Sequence, residues 1–377
     1  MIVFLSFAPI EFMGGAEKMI HKLANFMKKS EDIVIINADK SIADIYGSIV
    51  LGRTFSERMN QSEMQNSIPK IKIHVEDFIP WSKGWKNLHK QLTTARLIYI
   101  KYEVLEVFFL FYFGGISVRK KTIASLHSPL LYGAPQKLFD RLHTLVYSST
   151  FNQVILQQME KIHVLNKRDE LYLKNTYQLR NVIRVPNSLP AMELKDNDPT
   201  GIDKKKLYIL FVGEFSLRKG ADILIDLIYR APADIHFSVA GDGPLRDKLI
   251  VQCMNKRNWT YHGYAQGEKL QELYRNNDIL FAPSRAEGLS LVMLEALSHG
   301  LRIVGYESIL SDFSQIAKSS SRNNLIEEYE AIFRQMLVNK KNHTFVGTKE
   351  QVKKYFLKNF SDMKILPIMQ QKIFSLN

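Results

Sequence analysis

A single cysteine, Cys253, stands among 377 residues. That excludes an internal disulfide framework and fits a reducing compartment, so a cytoplasmic setting is expected. Long apolar runs are also scarce. The richest, Val104–Phe113, is interrupted by Glu106 and is well short of the roughly 20 residues that a spanning helix needs; it reads as buried core. Met1–Phe7 is apolar, but it has no basic leader and runs directly into Pro9 and a glycine turn, which reads as a first strand rather than a targeting signal. No metal cage is evident, because the one close Asp-x-Asp pair, Asp196 and Asp198, lies in a polar stretch away from any strand end, and no metal or other cofactor is expected. Lys and Arg are dispersed rather than interleaved with aromatics, which excludes a recognisable nucleic-acid module.

What is present is an ordinary globular composition, 46% hydrophobic and 24% charged, long enough for two cores. The net charge of +13 is uneven: residues 1–190 carry 25 Lys and Arg against 16 Asp and Glu, while residues 191–377 carry 26 against 22. A basic first half draws anionic partners, a membrane surface or a pyrophosphate-bearing ligand. Peripheral contact at the inner face of an anionic membrane is therefore an expectation to test.

Short β-rich runs alternate with helical patterns, the signature of a mostly parallel sheet. Ile2–Phe7 precedes Gly14-Gly15 and a helix with Met19, Ile20, Leu23 and Phe26 on one face. Strands are expected at Ile33–Asn37, Lys70–Val75, Leu97–Lys101, Thr122–Leu126, Lys161–Leu165 and Asn181–Val185, with helix or loop over Thr54–Ser67 and a helix over Gln136–Tyr147. Residues 191–206 are polar, carry Pro199 and Gly201, and have no hydrophobic period, so they read as a linker between a domain at 1–190 and another at 207–350. The second domain restarts the pattern with strands at Leu207–Val212, Ile235–Ala240, Trp259–His262, Asp278–Phe281 and Leu301–Gly305. The tail, 351–377, reads as helix broken at Pro367 and packing back toward the first domain.

The stretch that organises the second domain is Ala282-Pro-Ser-Arg-Ala-Glu-Gly-Leu-Ser-Leu-Val-Met-Leu-Glu295. It places Glu287 in a turn with Gly288, Ser290 at the N-cap position of a helix, and Glu295 inside that helix. A carboxylate, a glycine-freed backbone and unpaired N–H groups at a strand end suit an anionic ligand bearing hydroxyls. Taken alone, two glutamates are more simply read as solvated surface residues.

The order of the surrounding motifs changes that reading. Phe211-Val-Gly-Glu-Phe-Ser-Leu-Arg-Lys-Gly220, Val239-Ala-Gly-Asp-Gly-Pro244, His262-Gly-Tyr264, Pro283–Glu295 and Ala296-Leu-Ser-His-Gly300 follow one another as in the retaining glycosyltransferase family 4, and this half of the chain resembles that family's C-terminal domain. The likeness is weaker in the first half, resting on Phe12-Met-Gly-Gly-Ala-Glu-Lys18, the strand ending at His127, His163-Val-Leu-Asn166 and Val185-Pro-Asn-Ser188.

The resemblance implies an α/β protein of GT-B type, two Rossmann-like domains facing a cleft with a last helix crossing back. It also implies transfer of a sugar from a nucleotide-sugar donor to a saccharide or lipid-linked acceptor, with retention, in glycan biosynthesis. It assigns Arg218 and Lys219 to the donor phosphates, Glu295 to the ribose hydroxyls, and Glu287 and His127 to the transferred sugar. Backbone around Gly288, Leu289 and Ser290, and the loop at Gly14 and Gly15, would meet the donor. Three departures stand out: Glu214 where relatives often carry Arg, no Pro-strand and Gly-Gly loop after Gly300, and Asn166 where many relatives carry Ser. They keep open a binding subunit that has lost transfer and, more distantly, a nucleotide-sugar epimerase.

Overall fold

The computed structural model describes residues 1–6, 15–39, 41–42, 68–127, 138–191, 203, 205–320, 326–342 and 348–375. Expectations for Phe7–Gly14, Thr54–Ser67 and most of the linker lie outside these residues. The chain divides into two compact units, the first comprising Met1–Leu131, Pro135–Asn187 and Ile365–Asn377, the second Tyr132–Ala134 and Ser188–Lys364.

The strands are β1 (Ile2–Leu5), β2 (Ile33–Ala38), β3 (Lys70–Ile73), β4 (Leu97–Lys101), β5 (Thr122–Leu126), β6 (Lys161–Val164) and β7 (Val182–Arg184) in the first unit. In the second they are β8 (Leu207–Glu214), β9 (Ile235–Asp242), β10 (Trp259–Gly263), β11 (Ile279–Ala282), β12 (Arg302–Tyr306) and β13 (Ala317–Ser320). Between them run α1 (Gly15–Met27), α2 (Lys83–Thr94), α3 (Val104–Gly114), α4 (Leu138–Tyr147), α5 (Thr150–Gln157) and α6 (Lys167–Asn175), then α7 (Ala221–Arg230), α8 (Arg246–Cys253), α9 (Gly267–Arg275) and α10 (Leu291–Ser298). The chain closes with α11 (Glu307–Leu310), α12 (Ile326–Lys341), α13 (Lys349–Phe360) and α14 (Asp362–Phe374).

Both sheets are wholly parallel, in the orders β3-β2-β1-β4-β5-β6-β7 and β10-β9-β8-β11-β12-β13. The period of two sorts the first sheet: Val3 and Leu5 face a core completed by α2 and α3, and Ile2 and Phe4 face a core completed by α1 and the C-terminal helix. Because both faces are covered, the central strands are apolar throughout, as parallel sheets require. In each unit the strand order turns at the first strand, between β1 and β4 and between β8 and β11. Open α/β sheets bind ligands outside the carboxyl ends of the strands at such a switch.

The structure corrects three details of the sequence reading and adds one strand. The tail does not break at Pro367: it breaks at Ser361, where Leu189 N–H donates to the Phe360 carbonyl at 3.0 Å and Asp362 N–H to the Leu189 carbonyl at 2.8 Å. Pro367 lies within α14; the bond it forfeits would have ended on Met363, which is 86% exposed, so water can satisfy that carbonyl. Only Ile365 onward joins the first unit, where Ile365, Met369, Ile373 and Phe374 are buried, each side chain worth about 1.5–3 kcal/mol. The stretch after Gly300, for which no strand beyond Leu301–Gly305 was expected, adds Ala317–Ser320 as β13, at the edge of the sheet among the described residues, where polar residues are tolerated. Finally, Val104–Phe113 is only half core. Phe109, Leu110 and Phe113 are buried, but Val104 and Phe108 are each 52% exposed.

Candidate active site

The second unit brings three of the predicted residues, Arg218, Lys219 and Glu287, together at the carboxyl edge of its switch point. Leu210 pairs with Leu280 where β8 and β11 lie side by side, so the loops that follow them emerge together. One runs from Phe215 to Gly220 and carries Arg218 and Lys219; the other runs from Pro283 to Ser290 and carries Glu287. Gly220 makes their approach possible. Its φ is +74°, and a Cβ there would stand 2.5 Å from the Pro283 carbonyl oxygen, a conformation and a contact open only to glycine. A third loop joins them from β9, where a Cβ on Gly243, with φ +155°, would strike the Phe215 backbone at 2.6 Å.

Glu287 is 8% exposed, not solvated as its sequence context allowed. Its carboxylate receives Lys219 Nζ directly, and Arg218 Nη1 stands 3.8 Å away. Burial pushes this carboxyl up, but Lys219, then Arg218, outweigh burial and hold it below the ordinary carboxylate value. A buried carboxylate is thus kept ionised beside two cations. Arg218 also reaches Glu214 at 3.6 Å, so the residue that departs from the family pattern engages the neighbouring cation.

Two side chains that the sequence reading did not single out fix this geometry. Arg285 forks onto Asp222 with bonds of 2.8 and 2.7 Å, and its backbone N–H donates to the Arg218 carbonyl at 2.8 Å. It thereby ties the Glu287 loop to the start of α7 and to the cation loop. Bidentate pairs of this kind carry geometric specificity as well as energy. Tyr274, fully buried, donates its hydroxyl to Glu295 Oε2 at 2.7 Å and stacks on His299, ring centroids 5.0 Å apart. Asp222 and Arg285 are 63 residues apart, and Tyr274 and Glu295 are 21 apart, so no local spacing announces either pair. Glu295 lies in α10 as expected. Ser290 occupies the N-cap position, but its hydroxyl makes no capping bond. Gly288 is partly exposed beside it, and Leu289 is buried.

His127 follows β5 in the first unit. Both of its ring nitrogens are shielded and have no hydrogen-bond partner among the described residues, and its ring meets that of His163 edge to face at 6.3 Å. Burial first, then His163 and Lys101, hold its pKa well below the usual value, so it is neutral at pH 7. Beneath it, His163 Nε2 lies 2.8 Å from the Val185 carbonyl, and Tyr99 and Ser125 converge on Nδ1 at 2.9 Å each. Gly15 opens α1 and is exposed; Gly14 lies outside the described residues, as do Asp196 and Asp198. Glu17, from the same motif, pairs with Lys101 at 2.8 Å. Asn166 is an N-cap, accepting from Asp169 N–H at 2.8 Å, which gives that departure a structural role. Among the described residues no cluster of His, Cys, Asp and Glu could hold a metal ion, and no helix is long and apolar enough to cross a membrane.

Comparisons with known proteins converge on one family. Residues 193–336 match the family described as glycosyl transferases group 1. An uncharacterised 41.2 kDa protein of the cps region of Klebsiella pneumoniae is 30% identical over 125 residues, 33% of this chain and 34% of that protein. The phosphatidylinositol N-acetylglucosaminyltransferase GPI3 subunit of Saccharomyces cerevisiae is 26% identical over 225 residues, 55% of this chain and 48% of its own length. The matches thus span a third to a half of these relatives. Anabaena HepE, solved in complex with UDP and glucose, superposes over 100% of both chains with a TM-score of 0.69 at 13% identity, which shows the GT-B fold. Residues 193–336, in the second unit, are thus similar to the group 1 glycosyltransferases.

Proposed function

We propose that the protein is a retaining glycosyltransferase that moves a sugar from a nucleoside diphosphate sugar to a saccharide or lipid-linked acceptor in the synthesis of a surface glycan, without a metal ion. The observation that carries this reading is the buried, ionised Glu287 flanked by Lys219 and Arg218 at the carboxyl edge between β8 and β11. Breaking a glycosidic bond to a diphosphate separates charge: negative charge grows on the pyrophosphate and positive charge on the sugar ring. Lys219 and Arg218 meet the first. Glu287, ionised and shielded from water, faces the second. The N–H groups at the start of α10, which receive no side-chain cap from Ser290, add donors for a phosphate or sugar oxygen beside Gly288, Leu289 and Ser290. Glu295, steadied by Tyr274, offers acceptors to a ribose diol. In the first unit, neutral His127 is assigned a hydroxyl of the transferred sugar, and the Gly14-Gly15 loop the donor. HepE was solved with UDP, which makes a uridine donor the first to try.

The test is a panel of UDP- and GDP-sugars, read by thermal shift and by release of nucleoside diphosphate with and without acceptor glycans. A donor that raises the melting temperature and turns over supports transfer, and the anomeric configuration of the product decides retention. Binding without turnover across the panel favours a binding subunit, a reading that the Glu214–Arg218 pairing at 3.6 Å supports. Conversion of the donor with no acceptor present favours an epimerase.

A further inference from the structure

The first unit carries an apolar groove lined by none of the residues assigned to the donor. It has a volume of about 470 Å³ and lies between α3, α4 and α5, with Val104, Phe108, Phe111, Val146, Phe151 and Ile155 among its walls. Phe151, on α5, is 73% exposed and Leu145, on α4, 67%. Contiguous exposed carbon of this extent marks an interaction surface. The polar groups at its floor are satisfied internally. Tyr102 donates its hydroxyl to Asn152, Asn152 Nδ2 donates to the Tyr147 carbonyl at 3.0 Å, and the Tyr147 hydroxyl lies 2.9 Å from the Tyr102 carbonyl and 3.1 Å from Glu103. The groove therefore presents hydrocarbon and little else, and its matching ligand is hydrocarbon.

Its rim says what bears that hydrocarbon. Phe108 stacks on Tyr112 at 5.7 Å, Tyr112 lies 5.7 Å from Phe78, and the chain continues from Phe78 to Ile79 and Trp81, which are 63% and 72% exposed. Trp81 in turn leads a ladder of rings through Trp85 to His89, with centroids 5.2 and 4.9 Å apart. Lys83, Lys86 and Lys90 are exposed on α2, beside these rings. Residues 79–121 hold eight Lys and Arg against two Glu; of those two, Glu106 is buried and Glu103 accepts from Tyr147. Exposed tryptophan and lysine around an apolar slot form a surface complementary to an anionic bilayer, with rings at the headgroup level, cations on the phosphates and the slot open to a chain.

We infer that this face of the first unit docks on an anionic lipid bilayer and that the groove takes one acyl or isoprenoid chain from it. The inference rests on the first unit alone, and nucleotide-sugar binding serves as its independent control. The experiment uses the full chain carrying Trp259→Phe, so that Trp81 and Trp85 are the only tryptophans. The probe is vesicles of phosphatidylglycerol and phosphatidylcholine with brominated acyl chains. Co-sedimentation with quenching of tryptophan emission is expected. Phe108→Asp with Phe151→Asp, both at exposed sites that leave the fold intact, is expected to lower partitioning tenfold or more. Lys83→Glu and Lys86→Glu should each lower it roughly fivefold on anionic vesicles. Each variant should keep the wild-type melting temperature and response to donor. Unquenched emission, or a doubly substituted protein that partitions as the wild type does, overturns the inference. So does a concentration-dependent dimer, without vesicle binding, that the double substitution abolishes, because the groove is then a contact between copies.

Discussion

Replacing Lys219 with Met retains the stem and removes the charge that holds Glu287 ionised. Removing one partner of a buried ion pair costs roughly 3–5 kcal/mol. Here the Lys219 side chain is 20% exposed, and Arg218 remains 3.8 Å from the carboxylate, so about 2 kcal/mol is the better figure. For a unit of this size that is a fall of about 4–8 °C in melting temperature at pH 7. The pH dependence identifies the cause. In the wild type the Glu287 carboxyl lies below its ordinary value of 4.5; its pairing therefore contributes stability above 4.5 that is lost as pH falls through the folded-state value. In Lys219→Met, burial is opposed only by what remains, Arg218 and the hydrogen bond with Ser284 among them, so the folded value rises and protonation relieves the stranded charge sooner. The deficit should be full near pH 7 and should shrink as pH is lowered through the window between the two folded values. Calorimetric melts of both proteins across this range measure it. A deficit that stays constant as the pH is lowered would refute the electrostatic account, and no deficit at all would refute the pairing.

Two further outcomes follow from the same geometry. Gly220→Ala places a methyl group 2.5 Å from the Pro283 carbonyl oxygen at φ +74°; it should cost about 2–4 kcal/mol and weaken donor binding by parting the two loops, checked by melting and titration with UDP. Tyr274→Phe removes the 2.7 Å bond to Glu295 without opening the core, and should weaken UDP binding by about three- to tenfold, the worth of about 1 kcal/mol, while kcat stays within about twofold.

Much of this arrangement could be read before the structure. Apolar runs such as Ile33–Asn37 and Leu207–Val212 can be satisfied only in a sheet covered on both faces, so their alternation with helices gave the parallel architecture. The order of glycine and carboxylate motifs located Arg218, Lys219 and Glu287 in loops that follow strands and Glu295 in the helix after them. What escaped the reading shares a physical reason. Arg285 with Asp222, and Tyr274 with Glu295, are bound by tertiary approach, which no spacing along the chain encodes. Ala317–Ser320 is a strand by virtue of its neighbour β12 and not of its own side chains. Val104–Phe113 is apolar all round and thus carries no stripe to say which face is covered; only packing against α2 shows that Phe108 is left outside.

The central claim is that Glu287 acts on the donor sugar as an ionised carboxylate. The most direct measurement is turnover and UDP affinity of Glu287→Gln beside the wild type, with the nucleotide sugar that the donor panel identifies. The substitution preserves shape and removes charge, so kcat should fall about a hundredfold or more while the Kd for UDP stays within about threefold. A variant that turns over at a rate close to that of the wild type would contradict the account.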